Sequence, residues 1–502
     1  YNYNMKYLLS FTARYDGISR LKDNRWGFFP GVSVGWNIME EDFWKESKVS
    51  DIVSNLKPRL SYGVNGNVNG IGNYEVYGEY AQVDAKTYGG ATALYNKKLL
   101  NTNLRWEQSQ TFEVGLDIGF LQNRLSFILD FYSRRTKDLL TKQALPGYTG
   151  FSDIVTNMGT LRNSGFEAEV KANIINKGGF TWDMTANITS VANKIISLPY
   201  NNVENNRVGG YEVAAGKVDA DGKFPTKWIA GRQEGGKLGE LVGYRQQHVF
   251  KDWDDVKQHA NLRVDEIANL YGPGLADQIN PATGKTYKES SGWQPIEPGD
   301  ACWEDINGDN IINGYDRSVM GNIFPNVTGG FSTTFGYKGL SLYARFDYAL
   351  GHTLYNDLKA RSLGQYQGQF NIITDVKDMW SEANPNSDLT KFYYADQLAK
   401  KNITRSNNAS TAADNNSSRY YEKGDYLALR EITLSYQLPK SLISKAHLTE
   451  ASVYVTGQNL FYITGYDGVS PEPAVSTTYG RGIDNGRYPT PRTFLFGLSL
   501  TF

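Results

Sequence analysis

The 502-residue chain holds a single cysteine, Cys302. That excludes a disulfide framework and any metal site built from several thiolates. It has no run of about 18 apolar residues, the length a membrane-crossing helix needs. Its mean hydropathy is −0.48. Helical membrane proteins are therefore excluded. Strands are not, because only every second residue of a membrane strand faces lipid. Charge is nearly balanced, with 52 Lys and Arg against 53 Asp and Glu for a net of −1. There is thus no electrostatic case for nucleic acid. An initiating Met and a signal peptide are also missing. The chain opens on Tyr1, and residues 1–15 read as the interior of a strand. The expectation is a portion of a longer protein whose N-terminal part lies elsewhere.

What is abundant is aromatic residues and glycine. Aromatics make up 13%, with 34 Tyr and 10 Trp, and there are 51 Gly. Aromatic girdles at membrane interfaces and tight turns between strands would use both. The last stretch, from Thr493, is the most informative. Phe494, Phe496, Leu498, Leu500 and Phe502 fall on one face of a strand; Leu495, Gly497, Ser499 and Thr501 fall on the other. A period of two with one apolar face marks a strand between unlike environments. Ending it on Phe resembles a bacterial outer-membrane β-barrel.

The same alternation recurs upstream. Tyr7, Leu9, Phe11, Ala13 and Tyr15 oppose Leu8, Ser10, Thr12 and Arg14. Segments 111–120, 125–132 and 340–350 repeat it, with Glu113, Asp117, Asp130, Arg345 and Asp347 on the second face. Charges there could not sit in lipid cheaply, so that face should meet water or a plug. Weaker strands fit at 28–38, 56–66, 158–173, 179–192, 324–337, 426–438 and 450–460. Connector lengths alternate: short after Phe120, Ile175, Gly336 and Leu438, long over about 67–104, 136–157, 193–323, 351–425 and 461–490. Parity gives about twelve crossings, provided that 193–323 is one external excursion and that Leu241–Arg245 within it is not a crossing. Residues 40–56 read as a short amphipathic helix on the periplasmic side. A soluble β-sandwich is the plainer alternative. It would not need charged faces on ten-residue strands or loops of this length.

Several blocks resemble SusC/RagA-type TonB-dependent transporters. They are Arg14-Tyr15-Asp16-Gly17 with Arg25-Trp26-Gly27-Phe28-Phe29-Pro30-Gly31, then Leu104-Arg105-Trp106-Glu107-Gln108-Ser109 and Asn163-Ser164-Gly165-Phe166-Glu167. Asp305-Ile306-Asn307-Gly308-Asp309, Asp316-Arg317 with Gly321, and Leu429-Arg430-Glu431-Ile432-Thr433-Leu434-Ser435-Tyr436 follow in order. Gln458-Asn459-Leu460, Gly465-Tyr466-Asp467 and the Pro-Arg-Thr-Phe of 491–494 complete the set. Departures are Ile18-Ser19-Arg20 for the usual Ser-Ser-Arg and Asn310 for the usual Gly. The resemblance implies an all-β fold, the C-terminal twelve or so strands of a 22-stranded transmembrane antiparallel barrel, with the plug and N-terminal domains absent from this chain. It also implies an active importer of an oligosaccharide or peptide, in the outer membrane of a Gram-negative, Bacteroidetes-like bacterium. Such a protein is driven by TonB and partnered by a SusD-like surface lipoprotein lid. The 193–323 and 351–425 loops would contact that lipoprotein. Two other classes compete: a passive porin of about twelve strands and, further off, an outer-membrane hydrolase.

The sharpest local motif is Asp305-x-Asn307-x-Asp309-x-Ile311-x-Asn313-x-x-Asp316. Oxygens of Asp305, Asn307 and Asp309, the Ile311 carbonyl and the Asp316 carboxylate have the spacing of a Ca²⁺ loop. The ion would be structural. An Asx-rich turn held by its own hydrogen bonds is the alternative. Gly31-Val32-Ser33-Val34-Gly35 spells a nucleophile motif but lies inside a strand, without the turn and helix such a Ser needs. Gly284-Lys285-Thr286 lacks the earlier Gly of a phosphate loop, since Ile279 stands there. No catalytic or cofactor-binding residue is expected. Trp228, Tyr244, Trp253, Trp293 and Trp303 could stack on sugars or grip a partner, although packing within ordered loops is the simpler use of each.

Overall fold

Twelve long strands form wherever the sequence alternates. In the computed structural model, residues 1–88, 91–265, 269–365, 371–392, 417–472, 475–476, 480–486 and 488–502 are described. The strands are β1 (Tyr7–Gly17), β2 (Trp26–Trp36), β3 (Val53–Asn67), β4 (Glu107–Phe120), β5 (Leu125–Ala144) and β6 (Asp153–Lys177). They continue as β7 (Phe180–Ser197), β8 (Val327–Tyr337), β9 (Leu340–Leu350), β10 (Tyr426–Gln437), β11 (Glu450–Thr464) and β12 (Thr493–Thr501). All lie side by side in chain order in one antiparallel sheet. A short ladder pairs Asn2 and Tyr3 with the start of β1. Beyond that ladder, the outer edges of β1 and β12 carry no strand partner among the described residues.

Register turns the alternation into a two-faced wall. Leu9, Val34, Leu60, Val114, Phe131 and Phe166 form one continuous cross-strand row. The opposite face carries Arg59, Gly115, Asp130 and Glu167 in its own row. The apolar face is uncovered: Phe494, Phe496 and Leu498 are 64%, 81% and 61% exposed. An apolar surface of this extent requires a non-aqueous neighbour. Aromatics gather at both of its ends. Tyr7 stacks on Trp36 at 6.5 Å, and Tyr15 stacks on Trp26 at 5.2 Å. Eight residues separate Tyr7 from Tyr15 along the strand, about 26 Å at ~3.3 Å per residue. That is close to the ~25 Å apolar band of membrane barrels, before strand tilt shortens it.

One end of the sheet has tight connections. Gly178 and Gly179 (φ 66° and 79°) and Lys338 and Gly339 (φ 47° and 88°) make two-residue turns. Two successive positive φ values match the twist of the flanking strands, which is why glycine recurs there. At the same end, Ile38–Glu40, Asp42–Lys45 and Lys48–Asp51 form three short helical turns instead of one amphipathic helix. Glu41 organises them, accepting hydrogen bonds from Tyr7 Oη (2.7 Å), Trp36 Nε1 (3.1 Å) and Lys6 Nζ (3.1 Å).

One expected loop is mostly strand. The 136–157 connector is reduced to 145–152, because β5 and β6 stay paired out to Ala144 and Asp153. Polar residues such as Arg134, Arg135 and Lys137 break the lipid-type alternation, but above an apolar band a hairpin ladder still satisfies backbone groups in water. Between β7 and β8 the chain leaves the sheet. Leu241–Tyr244 does not join it; Glu240–Tyr244 pairs with Arg317–Asn322 instead. This excursion builds its own core from Tyr244, Phe250, Val256, Leu262, Val264, Ile296, Trp303 and Ile312. The excursion between β9 and β10 packs Tyr355, Leu363, Met379, Leu389 and Tyr420; its residues 366–370 and 393–416 lie outside the described residues. The two are stitched together by Tyr421 Oη donating to the Val242 carbonyl (2.7 Å) and Trp380 Nε1 to the Lys251 carbonyl (3.1 Å).

Candidate functional site

The polar face of the wall is built around two buttressed arginines. Arg59 on β3 reaches across β4 to β5. Its Nε donates to Asp117 Oδ1 at 2.9 Å and its Nη2 to Asp130 Oδ1 at 2.9 Å, with Glu113 at 3.7 Å. Gly115 makes this possible: a Cβ there would lie 2.4 Å from Asp130 Oδ1 and 2.8 Å from the Arg59 guanidinium. The absent side chain opens a channel for the charges to meet.

Arg430 is placed by an irregularity. On β10, Leu429 pairs with Phe346 and Glu431 with the adjacent Arg345, so Arg430 is an extra residue in the ladder. On the neighbouring β11, the partners jump from Phe461 to Gln458, and Asn459 adopts a left-handed φ of 53°. Bulges of this kind re-aim side chains, and Asn tolerates the left-handed conformation. The guanidinium is gripped from both sides. Nε and Nη2 donate to the two oxygens of Asp347, Nη2 also to Glu472, and Nη1 to Tyr462 Oη at 3.0 Å. Tyr462 Oη in turn donates to Glu472 Oε1 at 2.8 Å. Glu472 belongs to the loop between β11 and β12, so Arg430 fastens that loop to the wall. Beside this cluster lies a cavity of about 430 Å³ lined by Thr185, Asn187, Gly330, Ser332, Arg345 and Asp347, among others.

Of the residues singled out from sequence, Asp130, Arg345 and Asp347 all lie on this polar face. Arg59, Arg430, Tyr462 and Glu472 were not foreseen. The adjacent charges Arg430 and Glu431 inside an alternating strand were the available sign of a bulge.

The Asp305–Asp316 motif lies in the first excursion. Asp305 accepts the N–H groups of Gly308 (2.6 Å) and Asn310 (2.8 Å), and Asp309 accepts that of Ile311 (2.7 Å). Asn307 accepts the Asp309 N–H at 3.2 Å and donates to Asp309 Oδ2 at 3.0 Å. Asp316 is fully buried and accepts the Ile306 and Asn313 N–H groups at 2.8 and 2.9 Å. Burial, with Asp305 and Asp309 close by, pushes its carboxyl up to about 6. Asn310 takes the left-handed φ of 62°, and Ile311 pairs with Arg263 in a parallel ladder. Every carboxylate of the motif thus has backbone donors. Among the described residues no group of three or more His, Cys, Asp or Glu is arranged to hold a metal ion. Asx-type hydrogen bonds of this kind shape the loop.

The remaining motifs resolve simply. Ser33 sits mid-strand opposite Ser10 and Ser61. Gly284 is a turn residue at φ 71°. Cys302 is buried, and burial pushes its thiol up to about 12, away from reactivity. Tyr244 and Trp303 are core residues, Arg207 covers the Trp228 ring at 3.6 Å, and Trp293 packs edge-on against Tyr287 at 5.1 Å. Trp253 stays 55% exposed and, with Trp380, lines a cleft of about 510 Å³ at the seam of the two excursions.

The TonB dependent receptor-like, beta-barrel family matches residues 1–274. TonB-dependent receptor P3 of Formosa agariphila is 29% identical, over 100% of this chain and 44% of its own length. TonB-dependent receptor SusC of Bacteroides thetaiotaomicron is 30% identical, over 100% of this chain and 43% of its own. The structure of the RagAB peptide transporter shares the fold at a TM-score of 0.69 and 22% identity, covering 99% of this chain and 46% of that one. The chain spans a little under half the length of these relatives.

Proposed function

The chain belongs to the TonB dependent receptor-like, beta-barrel family, and from that premise we propose that it forms twelve wall strands of an outer-membrane importer energised through TonB. The observation that carries this reading is the two-faced sheet: an uncovered apolar face bounded by aromatics, backed by a face of buttressed charges. A wall of that kind separates hydrocarbon from a polar lumen. The open edges of β1 and β12 would be closed by further strands of a longer protein, since unpaired edges are untenable in lipid. A passive porin made of these twelve strands alone would require β1 to pair with β12, and they are not paired among the described residues.

The work is gated passage, without bond chemistry. Arg59 and Arg430, held by their carboxylates, give the lumen a stiff charged lining against which a plug can seat. The tight-turn end faces the periplasm and the excursions face outward, as short and long connections divide in such barrels. The excursions, each with its own core, would dock a SusD-like lipoprotein lid. The solute would be an oligosaccharide or a peptide; RagAB, which shares the fold, is a peptide transporter. The host would be a Gram-negative, Bacteroidetes-like bacterium.

The test uses the full-length protein in its own membranes. Purification under mild conditions should bring down a surface lipoprotein with a bound solute identifiable by mass spectrometry, cross-linked through 193–323 or 351–425. Uptake of that solute should stop when TonB is inactivated. Uptake that persists without TonB would overturn the active-importer reading, and a lipoprotein cross-linked only elsewhere would overturn the docking surface.

A further inference from the structure

One cation lining the notch beside Arg430 makes no ion pair among the described residues. Arg345 stands exposed on the polar face of β9, opposite Ser332 of β8 and Glu431 of β10. Among the described residues, no hydrogen bond or ion pair engages its guanidinium. Arg430 is consumed by Asp347, Glu472 and Tyr462. Glu431, the cross-strand carboxylate, accepts the Thr433 hydroxyl at 3.3 Å instead. Thr185 and Ser332 share a row with Arg345, and their hydroxyls likewise have no partner among the described residues. The Asn187 side-chain oxygen accepts the Gly330 N–H at 3.0 Å. Its side-chain amide donors have no partner among the described residues.

The depression itself is encoded. Asn187, Gly330 and Asp347 form the adjacent row, and glycine in its middle leaves a gap where a side chain would otherwise fill the wall. A Cβ there would lie 2.7 Å from the Phe346 carbonyl, so alanine would be strained as well as obstructive. The result is a cavity of about 430 Å³, within the ~300–1,000 Å³ of small-ligand sites. Among the described residues it carries surplus donors, and its lining carboxylate, Asp347, is held by Arg430; a guanidinium has five N–H donors and no acceptor. Its planar fork matches the two oxygens of a carboxylate.

We propose that this notch is a carboxylate site, in which the Arg345 guanidinium grips both oxygens and the Thr185 and Ser332 hydroxyls donate from the side. The proposal rests on reading the polar face as the lining of a lumen. The carboxylate arrives either on a solute moving along the wall or on a side chain of polypeptide occupying the lumen.

Two arms of one experiment separate these sources. In the first, 4-fluorobenzoate is titrated into the purified full-length protein and followed by fluorine NMR. Saturable broadening is expected for the wild type, roughly tenfold or more weaker binding for Arg345→Gln, and an intermediate value for Arg345→Lys, which keeps the charge but loses the fork. Neutral 4-fluorobenzyl alcohol should not broaden, and heat-modifiable gel mobility confirms that each variant is folded. In the second arm, the full-length structure is inspected at Arg345. A protein carboxylate on the guanidinium, with the probe excluded, supports the site and assigns its source to the polypeptide. Equal probe binding by wild type and Arg345→Gln, or no probe binding with no protein carboxylate at Arg345, overturns the proposal. TonB-dependent uptake, measured in parallel, reports on the importer reading separately: uptake that stays intact while Arg345 binds no carboxylate defeats only this site.

Discussion

Replacing Arg430 by Leu removes a guanidinium that joins two strands to a loop. Its side chain is only 16% exposed, and it is held by Asp347 and Glu472, which are 38% and 32% exposed. Hydrogen bonds to charged groups contribute about 1.5–3 kcal/mol each when well formed. Water can reach both carboxylates, so the four contacts do not sum; a total of about 2–4 kcal/mol follows once solvent screening is allowed for. The loss should be local, because Glu472 of the β11–β12 loop pairs with this guanidinium and accepts from Tyr462. Hydrogen exchange of the amides at 465–472 should therefore quicken by roughly 30- to 1,000-fold, while β1 to β6 keep their protection. Glu472→Gln should give a smaller effect on the same amides, and the double variant should fall short of the sum. Unchanged exchange at 465–472 in Arg430→Leu would refute the tether. So would strictly additive single and double variants.

Three further outcomes are expected. Phe496→Arg on the uncovered face should cost about 2–4 kcal/mol in urea unfolding from vesicles, whereas Ser499→Arg on the polar face should cost under about 0.5 kcal/mol. The Asp316 carboxyl, ordinarily near 3.8 and raised to about 6 in the fold, binds its proton more tightly when folded. Its stabilising contribution is complete below 3.8 and is lost as pH rises through 6. Exchange protection at Ile306 and Asn313, corrected for intrinsic rates, should thus fall about tenfold between pH 5 and 7.5. For the same loop, an Asp305→Ala/Asp309→Ala pair should leave metal content unchanged while loosening 305–316. A stoichiometric calcium ion lost from that variant would establish the metal reading in place of the self-held turn.

Much of the wall was legible because lipid on one side and water on the other impose a strict period of two. Strands such as β4 and β9 follow it without a break, and their two faces could be written from sequence. Legibility failed where that constraint ends. The upper halves of β5 and β6, around Arg134 and Lys142, remain strand because a ladder in water needs no apolar face; pattern alone reads them as loop. The bulge at Arg430 escaped because it is a matter of pairing with both neighbouring strands, and the adjacent charges Arg430 and Glu431 were its one local sign. The Arg59 cluster needed register across three strands, with Gly115 permitting the approach. The excursion cores, including Phe250 and Ile312, lack periodicity because many short, irregular segments build them. The Asp305–Asp316 spacing, by contrast, was visible at once yet ambiguous: the same oxygens serve a cation or their own backbone.

The most direct test places nitroxide labels singly along β12 of the full-length protein in lipid vesicles; the one cysteine of this chain, Cys302, is buried and does not compete for the label. Labels at 494, 496, 498 and 500 should be open to dissolved oxygen and shielded from a water-soluble nickel chelate, and labels at 495, 499 and 501 should show the reverse. Accessibility that does not alternate, or that alternates with 495 and 499 in the hydrocarbon, would contradict a wall with lipid on its phenylalanine face.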